Sequence, residues 1–135
     1  MKLKLAVSLA AIILAAAVPV VAHHAVAAEF DASKPVTIKG TVTKLEWMNP
    51  HIWVYVDAKD DKGNIVKWQC EGGPPNSLAR NGWTRNALKA GDEVTIQGIM
   101  AKARDNVCNS RSVTLPDGKR VFAGSPDEGP VGKGK

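Results

Sequence analysis

The side chains in this 135-residue chain that are best suited to bind a metal are its three histidines. His23 and His24 are adjacent, and His51 follows an Asn-Pro pair. If a leader is cleaved after Ala22, the free amino group and the imidazole of His23 can chelate one ion together. Nitrogen ligands in a planar set suit Cu(II), which leads the Irving–Williams order. We therefore predict a copper site made by His23, its amino terminus and His51, with His24 or Glu29 in reserve and zinc as the second metal.

Two features limit this prediction. Adjacent residues of an extended chain point in opposite directions, so we do not expect the rings of His23 and His24 both to coordinate. The amino group must also lose a proton to bind, so affinity should fall with acidity. The alternative is a solvated histidine pair, with His51 hydrogen-bonded to a carbonyl at the bend. Cleavage after Ala28 would remove both histidines and with them the site.

The first 22 residues predict export. A short basic start, Met-Lys-Leu-Lys, precedes an apolar, alanine-rich run from Leu5 to Ala22, which is typical of a secretory signal peptide. A membrane anchor is the alternative, but the run is short and contains Pro19. We expect a periplasmic or secreted protein, cleaved after Ala22 and without stable membrane insertion afterwards.

The mature chain would be one small, mildly basic domain. It keeps 16 of the 18 basic residues against 13 acidic ones. The basic residues are scattered and form no clustered stripe, so the composition does not indicate a nucleic-acid partner. A small ligand or a metal ion is the expected partner, and the sequence names no protein partner.

The two cysteines predict one disulfide. An even number of cysteines in an oxidising compartment favours pairing of Cys70 with Cys108. The bond would close a loop of about 38 residues and stabilise the fold by roughly 3–4 kcal/mol. Two buried thiols are the alternative. Metal ligation is disfavoured because there is no Cys-x-x-Cys spacing.

The aromatic residues offer a second kind of binding site. Aromatic side chains on a barrel face stack on flat ligands, so a glycan, peptide or partner protein is the alternative ligand class. The predicted ligand-binding residues are Trp47, Trp53, Trp83 and Arg85. Packing in the core is the competing interpretation, above all for Trp68 and Trp83, and Trp53 is expected to be the most exposed.

No arrangement of protein groups indicates an enzyme. The serines lack a nucleophile-elbow context, and the glycine-proline stretch 72–75 lacks the Lys and Ser/Thr of a phosphate loop. Glu46 and Glu71 can face each other on neighbouring strands, but without a visible cleft they fit better as charges at a hairpin rim.

Alternating apolar and polar residues predict an all-β domain. Three strands form a meander, a short helix follows at Ser77–Arg80, and further strands come after it, with a polar loop over residues 104–109. This order predicts a small OB-like β-barrel of five or six strands, with a two-sheet β-sandwich as the alternative. The predicted strands are Val36–Trp47 with a bulge or sharp coil at Gly40, Ile52–Asp57, Ile65–Glu71, Glu93–Met100, Ser112–Leu115 and Arg120–Phe122.

These elements divide the chain into four predicted parts. Residues 1–22 are the signal peptide, 23–35 an N-terminal lead-in, 36–123 the OB-like domain, and 124–135 a disordered tail rich in Gly, Pro and Lys.

A set of short motifs spread over nearly all of the mature chain resembles one family. They are Ala22-His23-His24, Ala28-Glu29-Phe30-Asp31, Gly40-Thr41-Val42, Glu46-Trp47, Asn49-Pro50-His51, Pro75-Asn76, Gly82-Trp83-Thr84-Arg85 and Gly91-Asp92. Together they resemble small exported bacterial proteins classed as a domain of unknown function. That resemblance implies an exported β-rich domain and supplies no activity. The family usually has Ser after the paired histidines, where this chain has Ala25.

Overall fold

The computed structural model describes residues 25–125. Within them the chain forms a helical segment at residues 25–29, six β-strands, and a short helix between the third and fourth strands. The predicted signal peptide, His23, His24 and the tail after residue 125 lie outside the described residues. The strands are β1 (Phe30–Glu46), β2 (Trp53–Lys59), β3 (Ile65–Glu71), β4 (Glu93–Ala101), β5 (Val107–Thr114) and β6 (Arg120–Phe122), and the helix is Pro75–Arg80.

The strands form one sheet that closes on itself. Their order is β3-β2-β1-β4-β5-β6, and neighbouring strands are antiparallel. A parallel pairing of β3 with β5 closes the ring through three residue pairs. Because one sheet curls around one core, the predicted all-β, OB-like class is confirmed and the two-sheet alternative is not needed.

The core fills the inside of this ring. Alternate residues of the strands point inward, as the pleat of a strand requires, and Val54, Val56 and Ile96 are fully buried there. Leu78 of the short helix and Trp83 of the following turn pack into the same cluster. Trp83 also donates its indole N–H to the Phe122 carbonyl at 2.8 Å, which satisfies the polar atom of a buried ring.

β1 joins the two halves of the ring because it pairs with both β2 and β4. Gly40 was predicted to mark a bulge or a sharp coil of the strand, and the shift in the β1–β2 register lies between Val42 and Lys44. Gly40 instead allows a close approach. A Cβ there would lie 2.3 Å from the Asp57 carbonyl oxygen.

The starts of β1 and β5 differ most from the prediction, whereas the other strand ends differ by two residues or fewer. β1 begins at Phe30, inside the predicted lead-in, because Phe30 and Asp31 pair with the end of β4. β5 begins at Val107, inside the predicted polar loop, because it gains partners on both sides, from β3 and β4. No helix within residues 25–125 has the length and apolar character needed to cross a membrane.

Candidate functional site

A row of side chains crosses the outer face of the sheet at one end of the ring. In the strand registers Glu46 lies opposite Trp53, Trp53 opposite Glu71, and Glu71 beside Asn109. Cys70 and Cys108 point into the core, so Glu71 and Asn109, one residue further along each strand, point outward. The strand pairings thus place Trp53 between the carboxylates of Glu46 and Glu71.

His51 adds an imidazole to this row. It lies just before β2, and its Nδ1 contacts Oε1 of Glu71. The His51 side chain is 28% exposed, whereas that of Glu71 is 11% exposed. The nearly buried Glu71 carboxylate therefore contacts Nδ1 of a His51 side chain that is still partly exposed.

The backbone beside this pair is fixed by close packing. Ile52 donates its N–H to the Gly73 carbonyl at 3.2 Å and accepts from the Gly72 N–H at 2.9 Å. A Cβ on Gly72 would lie 2.6 Å from the Ile52 side chain, and one on Gly73 would lie 2.3 Å from the Gly124 carbonyl oxygen. The Gly72-Gly73 pair is thus required for the approach that carries the loop of His51 up to Glu71.

A small apolar cluster borders the row. Phe30, Ile99 and Val107 are its buried members, and Val26, Trp53 and Ala101 pack against them. Lys102 holds the same N-terminal segment by two bonds. Its Nζ donates to the Ala27 carbonyl at 2.5 Å and its N–H to the Glu29 carbonyl at 2.9 Å. Residues 25–30 therefore lie against the face that carries Trp53.

Glu46 is engaged away from His51. It accepts hydrogen bonds from Lys44 at 2.5 Å and from the Tyr55 hydroxyl at 2.9 Å. These two bonds, with Lys44 first, hold the pKa of Glu46 below its usual value. Burial and the bond to Glu46 raise the pKa of Tyr55. Of the two carboxylates suggested by the sequence, Glu71 is the one that meets a histidine.

Asn109 is the buried polar member of the row. It is 2% exposed, and among the described residues its Oδ1 has no hydrogen-bond partner. A buried amide oxygen without a donor costs about 1–3 kcal/mol. The outer row thus ends in an acceptor that can still take a hydrogen bond.

The predicted ligand-binding residues do not form one surface. Trp83 is buried in the core and offers no ring face to a ligand, while Trp47 is half-buried and packs against the same core. Arg85 is exposed in the turn after Trp83. Trp53 lies in the outer row, and the Arg104 guanidinium sits 5.9 Å from its ring centroid. Of the four, Trp53 alone lies in the row with the His51–Glu71 pair.

Cys70 and Cys108 face each other across the β3–β5 pairing that closes the ring. Both are fully buried, and their Sγ atoms are 2.6 Å apart. The hydrogen bond to Cys108 and burial raise the pKa of the Cys70 thiol well above its usual range, which disfavours its reactive thiolate form. The predicted disulfide needs these two side chains side by side, which is how the fold places them.

The described part of the chain supplies only some of the predicted metal ligands. Residues 25–125 contain no group of three or more His, Cys, Asp or Glu side chains arranged to hold a metal ion. His51 and Glu71 make a pair, and the other predicted ligands, His23 and His24, lie just before residue 25. The sequence did not predict the contact between His51 and Glu71. Glu46 and Glu71 both lie beside the start of β2, and only the fold determines which of them His51 contacts.

Comparisons with known proteins identify the family and do not extend to a function. No curated protein and no solved structure matches this chain. The resemblance to a domain of unknown function is confirmed. A family model described as a family of unknown function (DUF6152) matches residues 10–109, and the chain belongs to that family.

Proposed function

We propose that this protein is exported to the periplasm or beyond and binds copper through His51 and the amino-terminal histidine. The observation that supports this most is the His51–Glu71 pair, which lies on the outer face bordered by residues 25–30. The His51 side chain is 28% exposed, and a histidine held by a carboxylate through one ring nitrogen is the common arrangement of a metal-binding imidazole.

The path of the chain favours a second ligand near His51. Val26 packs in the cluster that includes Trp53, and Trp53 is the cross-strand partner of Glu71. Even a fully extended chain advances only about 3.3–3.6 Å per residue, so the sequence keeps the Cα atoms of His24 and His23 within at most roughly 7 and 11 Å of that of Val26. That reach is enough to bring an imidazole to the edge of the row.

The donor set then selects the metal. After cleavage behind Ala22, His23 offers an amine and an imidazole in one chelate ring, and His51 adds a third nitrogen. Three nitrogen donors favour Cu(II) over the other divalent ions of the first transition row, with zinc as the second candidate. His24 and Glu29 remain reserve ligands. The proposed role is binding without turnover.

The experiment is the intact mass of the untagged exported protein, before and after one equivalent of Cu(II). A chain that starts at His23 and gains one copper supports the proposal. His51→Ala should abolish this uptake at one equivalent and leave only the weaker chelate of His23 and its amino group. Arg85→Ala, an exposed change in the turn after Trp83, should leave the uptake unchanged. A chain that starts at Glu29, or one that takes up no copper, would reject the amino-terminal site.

A second candidate function rests on Trp53. Its ring lies in the outer row with a guanidinium nearby, and aromatic rings beside cations stack on sugars and peptide groups. The protein would then be a binding module for a glycan, a peptide or a partner protein. Trp53→Ala should abolish binding to a glycan or peptide array under this function, whereas His51→Ala should leave it intact.

A further inference from the structure

We propose that Glu71 is the positioning residue of the copper site: it holds His51 by Nδ1 and so leaves Nε2 as the atom that binds the metal. This inference rests on the proposed function, which names His51 as a ligand but not the ligating atom or the group that orients the ring. The contact between Nδ1 and the Glu71 carboxylate is its direct support.

Glu71 is well placed to act as a fixed anchor. It is the last residue of β3, and its position is set from both sides by Trp53 on β2 and Asn109 on β5. Its side chain is 11% exposed, and a carboxylate with so little solvent needs a hydrogen-bond partner inside the protein. His51 lies on a loop and supplies that donor, so the strand residue orients the loop residue.

The chemistry follows from the two ring nitrogens. In a neutral imidazole one nitrogen carries the proton and the other a lone pair, and the partner of the first determines which is which. A carboxylate accepts but does not donate, so Glu71 favours the proton on Nδ1 and the lone pair on Nε2. The hydrogen bond from Nδ1 also makes Nε2 more basic and therefore a stronger ligand for a metal ion.

The first test needs no metal. Nitrogen-15 NMR of the metal-free protein, at a pH where the imidazole is neutral, reports which nitrogen of His51 carries the proton. We expect the Nδ1–H form in the wild type and a weaker preference in Glu71→Gln, because the glutamine amide can accept from Nδ1–H or donate to Nδ1. A proton on Nε2 in the wild type would overturn the assignment, whatever the copper result.

The second test is a double-mutant cycle in copper affinity, measured by competition with a chelator of known affinity. Glu71→Gln should weaken Cu(II) binding about 10–100-fold. It should have no further effect in a His51→Ala background, because Glu71 acts only through that ring. Glu93→Gln is the matched control, since Glu93 is a carboxylate bonded to Thr41 on a different strand pair, and it should leave the affinity unchanged.

The outcomes separate the two proposals. An unchanged affinity in Glu71→Gln, or a loss that adds fully to that of His51→Ala, would overturn the positioning role. Failure of the wild type to bind copper would overturn the proposed function and the metal role of Nε2. The NMR measurement would still decide whether Glu71 orients the ring.

Discussion

At the scale of single residues, Asp60 shows how one carboxylate closes a turn. It lies between β2 and β3, and its side chain accepts hydrogen bonds from the backbone N–H groups of Lys62 and Asn64 and from the Asn64 amide. The bonds from Asn64 come first in holding the pKa of Asp60 below its usual value. The ionised form is therefore favoured by the folded state.

We predict that the contribution of Asp60 to stability decreases as the pH falls. Because the folded pKa is depressed, the stabilisation by Asp60 is present above the unfolded pKa and disappears as the pH falls through the folded one. Asp60→Asn should lower the urea midpoint at neutral pH, and the difference from the wild type should shrink in acid, below about pH 4. Asp61→Asn, the same charge change one residue later, should show a smaller effect. A difference that grows in acid would contradict the assignment.

The candidate site could be predicted only in part at this scale. His51 and Trp53 were identified because rare residue types stand next to an Asn-Pro pair. Glu71 was noticed but interpreted as a rim charge, because its contact with His51 depends on the β2–β3 register and on the path of the loop. Burial of Trp83 depends on the whole core, and local sequence does not encode it.

At the scale of elements, the loop of His51 depends on the segment that follows β3. Gly73 donates its N–H to the Ala123 carbonyl at 2.9 Å while accepting from Ile52. It therefore lies between the loop of His51 and the residues after β6. A side chain at position 73 would push the residues after β6 away from the loop of His51.

We predict that Gly73→Ala destabilises the protein and shifts His51. The added Cβ would lie 2.3 Å from the Gly124 carbonyl oxygen, and such overpacking costs about 1–3 kcal/mol. Because Gly73 is bonded to Ile52, the NMR signals of the His51 ring should shift as well. Gly118→Ala is the control: its Cβ would meet open space but its φ is +84°, so stability should fall without a change at His51. Identical spectra for wild type and Gly73→Ala would contradict this link.

The elements were predicted best where alternation is strong. β3 and β6 have the predicted bounds, since β-branched and aromatic residues alternate there between turn residues. β5 was predicted five residues short because its first half, Val107 to Arg111, is rich in polar residues. Those polar residues lie in a strand because β3 and β4 flank it, and this arrangement is a property of the closed ring.

At the scale of the molecule, the β3–β5 pairing closes the ring with only three residue pairs. Cys70 and Cys108 are the middle pair and are separated by 38 positions in the chain. A covalent bond at this point would hold the ring closed and reduce the entropy of the unfolded chain. The same bond would fix Glu71 and Asn109, the next pair along these strands.

We predict that the exported protein is two hydrogens lighter than its reduced mass. Replacing both cysteines by Ala should lower the free energy of unfolding by roughly 3–4 kcal/mol, measured with urea under non-reducing conditions. Reductant should bring the wild type close to the double variant and should leave the double variant unchanged. A wild-type midpoint that does not respond to reductant would show that the buried thiols are not bonded.

The long first strand also determines the order in which the molecule can assemble. Phe30 at its start pairs with Ala101, and the row around His51 is complete only with Asn109 on β5. Contacts between such distant parts of a chain carry a large loop-closure entropy, and domains rich in them fold in milliseconds to seconds rather than microseconds. The β2–β3 hairpin, which brings Glu71 beside His51, can form early. The packing of residues 25–30 against this face requires β4 and β5. The proposed copper site needs both parts, so we expect it to be completed late in folding although the His51–Glu71 pair can form early.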